Sequence, residues 1–178
     1  KKDSTLIIDK EMKTRTGKIF SIIESKPSYS VSNYFISGKD FLNSTDTIVY
    51  LNKNPMTNAL ISDLDKNGFE EMYILTKSTG SNSFIEILGV ASLYDKALGE
   101  IQVQEISEDD IKKDEKFNGY LGHDSVYISD NKLIREFPVF KSSDPDVKSS
   151  KGRRKVIYML KKDPNDYKLV ITGSEELN

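Results

Sequence analysis

The residues with the clearest capacity for chemistry form one short run, Asp63-Leu64-Asp65-Lys66-Asn67-Gly68-Phe69-Glu70-Glu71. Oxygen-bearing side chains at its first, third and fifth positions (Asp63, Asp65 and Asn67) can converge on a hard cation, and Gly68 allows the sharp turn between them. The main-chain carbonyl of Phe69 and the carboxylate of Glu71 would complete a calcium site. The spacing is not that of an EF-hand, whose bidentate glutamate comes at position twelve; Ile74 stands there. A second reading needs no metal. Asx side chains bond nearby backbone N–H groups and Gly68 tolerates positive φ, so the run also makes a good turn by itself. Filled or not, it sets the entry into a strand over 70–76.

A different chemistry follows in Lys77-Ser78-Thr79-Gly80-Ser81-Asn82-Ser83-Phe84. This stretch is long for a tight hairpin and dense in hydroxyls, with an aromatic ring at its far edge. Small polar groups that donate and accept, beside apolar contact area, suit a protruding recognition loop. Read alone, the stretch is better taken as an ordinary Ser/Gly turn. Catalysis finds less support. His123 is the single histidine, so any Ser/His/Asp or histidine-rich metal centre would depend on it. Adjacent residues rarely face each other on a strand, so His123 and Asp124 read as a turn satisfying backbone groups. The absence of cysteine removes thiol nucleophiles, thiolate metal sites and disulfides. Acids crowd into surface-like stretches such as 105–115, and no carboxylate pair for glycoside hydrolysis can be assigned. The chain reads as a non-enzyme.

Positioning these loops falls to strands. Runs rich in β-branched and aromatic residues, separated by Asn, Asp, Gly, Ser and Pro, place strands at 5–9, 18–24, 29–37, 47–51, 58–62, 70–76, 83–90, 125–128, 133–140, 154–161 and 167–172. The runs 73–75 and 156–160 are apolar on both faces and read as central strands or as strands covered on both sides. Pro138 lacks a ladder donor and points to an edge or a bulge. One helix is predicted at 108–113, capped by Ser107, with acids early and lysines late. The expected fold is all-β, an antiparallel β-sandwich with at most one short helix. One domain spans 1–178, residues 1–4 form a solvated tether, and 141–152 form a mobile polar loop. A net charge of −2 gives no reason to expect nucleic acid or an anionic membrane as partner. The basic run Lys151-Gly152-Arg153-Arg154-Lys155 reads as a solvated loop entering a strand. No stretch has the roughly 18 apolar residues of a membrane span. The chain starts at Lys1 without methionine, which fits a removed export signal or a trimmed start. Exposed sandwich edges can pair, so a homodimer stays open.

Three segments carry a resemblance. They are the run 63–90, then Gly119-Tyr120-Leu121-Gly122-His123-Asp124, then Arg135-Glu136-Phe137-Pro138-Val139-Phe140-Lys141. Their order resembles the periplasmic inhibitors of invertebrate-type lysozyme, over roughly the last two-thirds of the chain. The Asp-rich turn also looks like those of FG-GAP repeats, but one copy cannot build a propeller. The resemblance implies a β-sandwich outside the cytoplasm, periplasmic or lipid-anchored. It also implies a rigid loop that blocks the catalytic carboxylates of an invertebrate-type lysozyme. Against that family's Ser-Gly-x-Tyr loop pattern, this chain reads Ser81-Asn82-Ser83-Phe84. Asn82 stands for glycine, which a left-handed backbone would tolerate. Phe84 lacks the phenolic hydroxyl, whose bond to a charged partner would be worth about 1.5–3 kcal/mol. The alternative function is a calcium-stabilised extracytoplasmic binding domain with another ligand.

Overall fold

The computed structural model describes residues 6–43, 46–141, 152–164 and 166–177. The tether at 1–4, nearly all of the polar loop at 141–152 and Lys151 of the basic run lie outside them. The fold is nearly all β. A four-stranded antiparallel sheet holds β1 (Leu6–Lys13), β2 (Ile19–Ser28), β3 (Val31–Lys39) and β4 (Thr47–Lys53) in chain order. An eight-stranded sheet joins two antiparallel meanders. The first is β5 (Met56–Ser62), β6 (Glu71–Lys77), β7 (Ile85–Leu93) and β8 (Ala97–Val103). The second is β9 (Ser125–Ser129), β10 (Lys132–Pro138), β11 (Arg153–Asp163) and β12 (Asp166–Leu177).

The meanders meet along a seam where β8 and β12 run parallel, with Tyr167 opposite Ile101. The expected sandwich is therefore mixed at this one junction. Parallel neighbours need a long crossover; here residues 104–124 carry the chain from β8 across to β9, and the second meander brings it back to β12. The crossover contains the predicted helix, α1 (Glu108–Lys113), closed by a capping box between Ser107 and Asp110. Gln104 continues the seam by donating its N–H to the Leu169 carbonyl (2.8 Å) and accepting from Ile171 N–H (2.8 Å).

The large sheet curls until its edge strands β5 and β9 touch. Side chains alternate across a strand with period two, so each strand of the first meander faces two ways. Tyr73, Leu75, Ile87, Ala91 and Ile101 point into the curl, against Leu133, Phe137, Val156, Tyr158, Leu160 and Leu169. Met72, Ile74, Leu88, Val90 and Leu98 point the other way, onto Phe20, Ile22, Tyr34, Ile36 and Tyr50 of the small sheet. The prediction that 73–75 is covered on both sides is met, since Glu71 to Thr76 are all buried. For 156–160 the strand is central, but only one face is covered: Met159 is 52% exposed.

Pro138 ends β10 opposite Arg153, beyond the last residue paired with β9. The local edge predicted for it exists, within a strand otherwise flanked on both sides. The strand β8 is absent from the predicted set because Gly99, Glu100 and Gln102 interrupt its apolar pattern. The strand β12 runs five residues past its predicted end at Thr172. Its polar tail is held by cross-strand ion pairs, Arg154 with Glu176 and Lys155 with Glu175. Arg153 pairs with Glu136, so the described cations of the basic run are matched by acids.

Gly89 lies directly opposite Ile101 of the neighbouring strand β8. A Cβ there would lie 2.9 Å from the Ile101 Cβ, while its carbonyl accepts from Tyr50 Oη at 3.0 Å. Gly89→Ala is expected to destabilise the fold by about 1–3 kcal/mol through overpacking, read as a lower urea midpoint with unchanged slope.

Candidate functional site: two hairpin loops on one strand

Both predicted loops are hairpin connections of β6, at opposite ends. The β5–β6 turn carries the acidic run. Asp63 accepts the N–H groups of Asn67 (3.0 Å) and Gly68 (3.0 Å), and Asp65 accepts Asn67 N–H at 3.1 Å. These are the Asx bonds of a self-sufficient turn. Lys66 and Gly68 take positive φ, 58° and 93°. Of the five predicted ligands, the carboxylates of Asp63, Asp65 and Glu71 converge, with oxygens within 4.8 Å of one another. Asn67 uses its amide inside the turn, accepting Phe69 N–H (2.8 Å) and donating to Asp65 (2.9 Å). The Phe69 ring packs edge-on to Tyr94.

Glu71 begins β6 and is 1% exposed. Its Oε2 accepts Leu64 N–H at 2.8 Å and Tyr73 Oη at 3.4 Å, whereas Oε1 is buried without a partner among the described residues. Burial pushes its carboxyl up to about 8, the Leu64 N–H opposes the rise, and Asp65 and Asp63 add to it. Arg15, in the β1–β2 turn, reaches across with bonds to Asp63 (3.1 Å) and Glu70 (3.2 Å), and its N–H donates to Glu70 at 2.6 Å. The acidic turn thereby ties the small sheet to the large one.

At the other end, the β6–β7 loop closes on itself. Ser78 Oγ accepts Phe84 N–H (3.0 Å) and donates to the Asn82 carbonyl (3.1 Å), and Ser78 N–H donates to the Phe84 carbonyl (3.0 Å). Thr79, Gly80, Ser81 and Asn82 are exposed. The side chains of Ser81, Asn82 and Ser83 form no hydrogen bond among the described residues. Asn82 is absent from the residues with positive φ, so asparagine stands there without the left-handed backbone expected of a glycine substitute.

The loop is braced from below by the segment 119–124. His123 N–H donates to the Ser83 carbonyl at 2.9 Å. Gly122, at φ 79°, lies so close that a Cβ would meet the Ser83 carbonyl at 3.1 Å and the Phe84 ring at 3.3 Å. Phe84 packs edge-on to Tyr120, with centroids 5.7 Å apart. Asp124 accepts Ile85 N–H (3.1 Å) and Tyr120 Oη (2.8 Å) and forms a buried ion pair with Arg135. Arg135 also donates to the Ile85 carbonyl (2.8 Å), Tyr120 Oη (3.1 Å) and Tyr158 Oη (3.0 Å). Burial works against its charge, but Tyr158, Tyr120 and Asp124 outweigh it and hold the guanidinium protonated. The Asp124 carboxylate does satisfy a backbone group, as expected of this turn, whereas the His123 ring packs beside Phe140 and among the described residues makes no hydrogen bond to backbone.

Beside the loop base lies a groove of about 380 Å³, lined by Phe84, Ile85, Ile87, Val103, Ile106 and Tyr120, with Glu86, Glu105 and Arg135 among its polar groups. Sequence reasoning missed Arg15, Tyr120, Arg135 and Tyr158 as supports. An arginine inside the apolar run of β10 was the one available signal. Among the described residues no helix is long and apolar enough to cross a membrane.

No family model, curated protein or solved structure matches the chain. What the loops can do therefore rests on their own geometry.

Asp124→Ala leaves the Arg135 charge buried and unpaired, an expected loss of about 3–5 kcal/mol. Adding Arg135→Met should recover part of it, both read by urea unfolding. Glu71 gives a pH signature in chelated buffer. Its folded pKa of about 8 lies above the ordinary 4.5, so the folded chain retains a proton that the unfolded chain releases. Its contribution is full at low pH and is lost as pH rises through about 8, at a slope of at most about 1.4 kcal/mol per pH unit. Glu71→Gln should flatten that slope in a pH series of unfolding curves.

Proposed function

We propose that the chain is a proteinaceous inhibitor whose β6–β7 loop enters the substrate cleft of an invertebrate-type lysozyme. The observation that carries this reading is a loop locked at its base and free at its tip. The Asp124–Arg135 pair, Tyr120 and Gly122 hold residues 83–85, while Ser81, Asn82 and Ser83 keep their side-chain donors and acceptors for a partner. A loop ordered before binding loses little conformational entropy on association, which favours affinity. Its chemistry also suits a cleft built around two carboxylates. Residues 77–84 contain no acid in a chain with 28 of them, and they offer hydroxyls, an amide and Lys77. The groove beside Phe84 would receive an apolar side chain from the cleft's rim. Such an encounter places the protein outside the cytoplasm, as the resemblance implies.

Titrating the purified chain into an invertebrate-type lysozyme digesting peptidoglycan tests the proposal, with inhibition expected at micromolar concentration or below. Asn82→Asp sets a carboxylate against the catalytic acids and should weaken inhibition at least about tenfold, since like charges at an interface cost several kcal/mol. Gly122→Ala should weaken it by unseating the loop, with the Asn82→Asp protein as the control for folding. Full lysozyme activity at a large molar excess of the chain would sink this reading.

A further inference from the structure

We propose that Asp63, Asp65 and Glu71 bind a calcium ion that locks the β5–β6 turn. This site is independent of the serine loop and of any lysozyme. Three features of the turn argue for it. First, the carboxylate oxygens lie within 4.8 Å of one another. Ligands of one calcium ion at about 2.3–2.6 Å lie no more than about twice that distance apart, so this spacing lets all three carboxylates share an ion.

Second, Glu71 carries an oxygen that the protein does not satisfy. The residue is 1% exposed and its Oε2 is engaged by Leu64 and Tyr73, yet Oε1 is buried with no donor. Buried acceptors nearly always have partners. An ion shared with Asp63 and Asp65 would give the Glu71 carboxylate a positive partner that no donor supplies to Oε1 among the described residues. Third, the donors are all oxygens, which selects a hard cation over zinc or copper. Among the described residues Arg15 is the one cation bonded to the cluster, through Asp63 Oδ2, and its side chain is 65% exposed. It offsets part of the charge and can swing into water when an ion arrives.

Calcium seated here would join the start of β6 to the preceding turn and stiffen the corner where Arg15 meets the large sheet. The test uses the full chain, stripped with chelator, then melted at rising calcium chloride. An ion that binds only the folded state raises the melting temperature progressively with its concentration. That rise is expected at calcium concentrations up to about a millimolar, the range of extracellular sites, with a smaller rise for magnesium chloride. Terbium should report the same site by sensitised emission on tyrosine excitation, because Tyr73 Oη lies 3.4 Å from Glu71 Oε2. Asp65→Asn and Glu71→Gln should abolish both signals, and Arg15→Gln should shift the calcium response to lower concentration. Asp65 is only half-buried, so its variant serves if Glu71→Gln fails to fold. No melting shift and no terbium emission from the stripped protein would overturn the proposal. So would a calcium shift that survives Asp65→Asn in folded protein.

Discussion

The strands β6 and β7 bury both faces, and the rest of the molecule is arranged around that constraint. Alternate side chains of each strand enter different cores, so Met72 and Ile74 support the small sheet while Tyr73 and Leu75 fill the curled one. Each large side chain so buried contributes on the order of 1.5–3 kcal/mol. A single polar substitution in either strand would therefore disturb one of the two interfaces. Strands of this kind leave no face for chemistry. Polar function moves to their ends, and the acidic turn and the serine loop lie at opposite ends of β6.

The cost of a buried charge then explains why the serine loop is braced. Arg135 lies inside the curl, where an unpaired guanidinium would be severely destabilising. Asp124, two tyrosine hydroxyls and the Ile85 carbonyl surround it. Since Asp124 also accepts Ile85 N–H, the first residue of β7 is held through both its backbone groups. The loop ends immediately before that residue. Moving its base would require breaking a charged, water-excluded network, so the tip can be free while its orientation is fixed.

Strand positions were legible because periodicity and turn residues are local signals. Eleven of the described strands begin within two residues of their predicted starts, and Ser107 caps α1 as its side chain dictates. The strand β8 was not legible, since Leu98 and Ile101 face opposite cores and Gly99 and Glu100 separate them. The parallel seam was not legible either, because it depends on two meanders meeting rather than on any local pattern. The acidic turn could be read as a ligand cluster from spacing alone, but not the burial of Glu71 or the approach of Arg15 from 48 residues away. Local patterns named the loops; only tertiary packing shows what holds them.

The same distinction sharpens the departure at Phe84. In the loop pattern that the sequence resembles, that position is a tyrosine, and phenylalanine reads there as a missing hydroxyl. Here the ring lies edge-on to Tyr120 and against Gly122, partly exposed at 39%. That contact uses the ring's faces and edge, which phenylalanine and tyrosine share, and aromatic pairs of this geometry add about 0.5–1.5 kcal/mol beyond area. The ring's anchoring role is thus met without the hydroxyl. Relative to that pattern the ring lacks one hydroxyl at the loop base, while the side chains of Ser81, Asn82 and Ser83 carry no hydrogen bond among the described residues. Phe84 therefore braces the loop base through ring contacts alone, and the loop's polar chemistry is left to Ser81, Asn82 and Ser83.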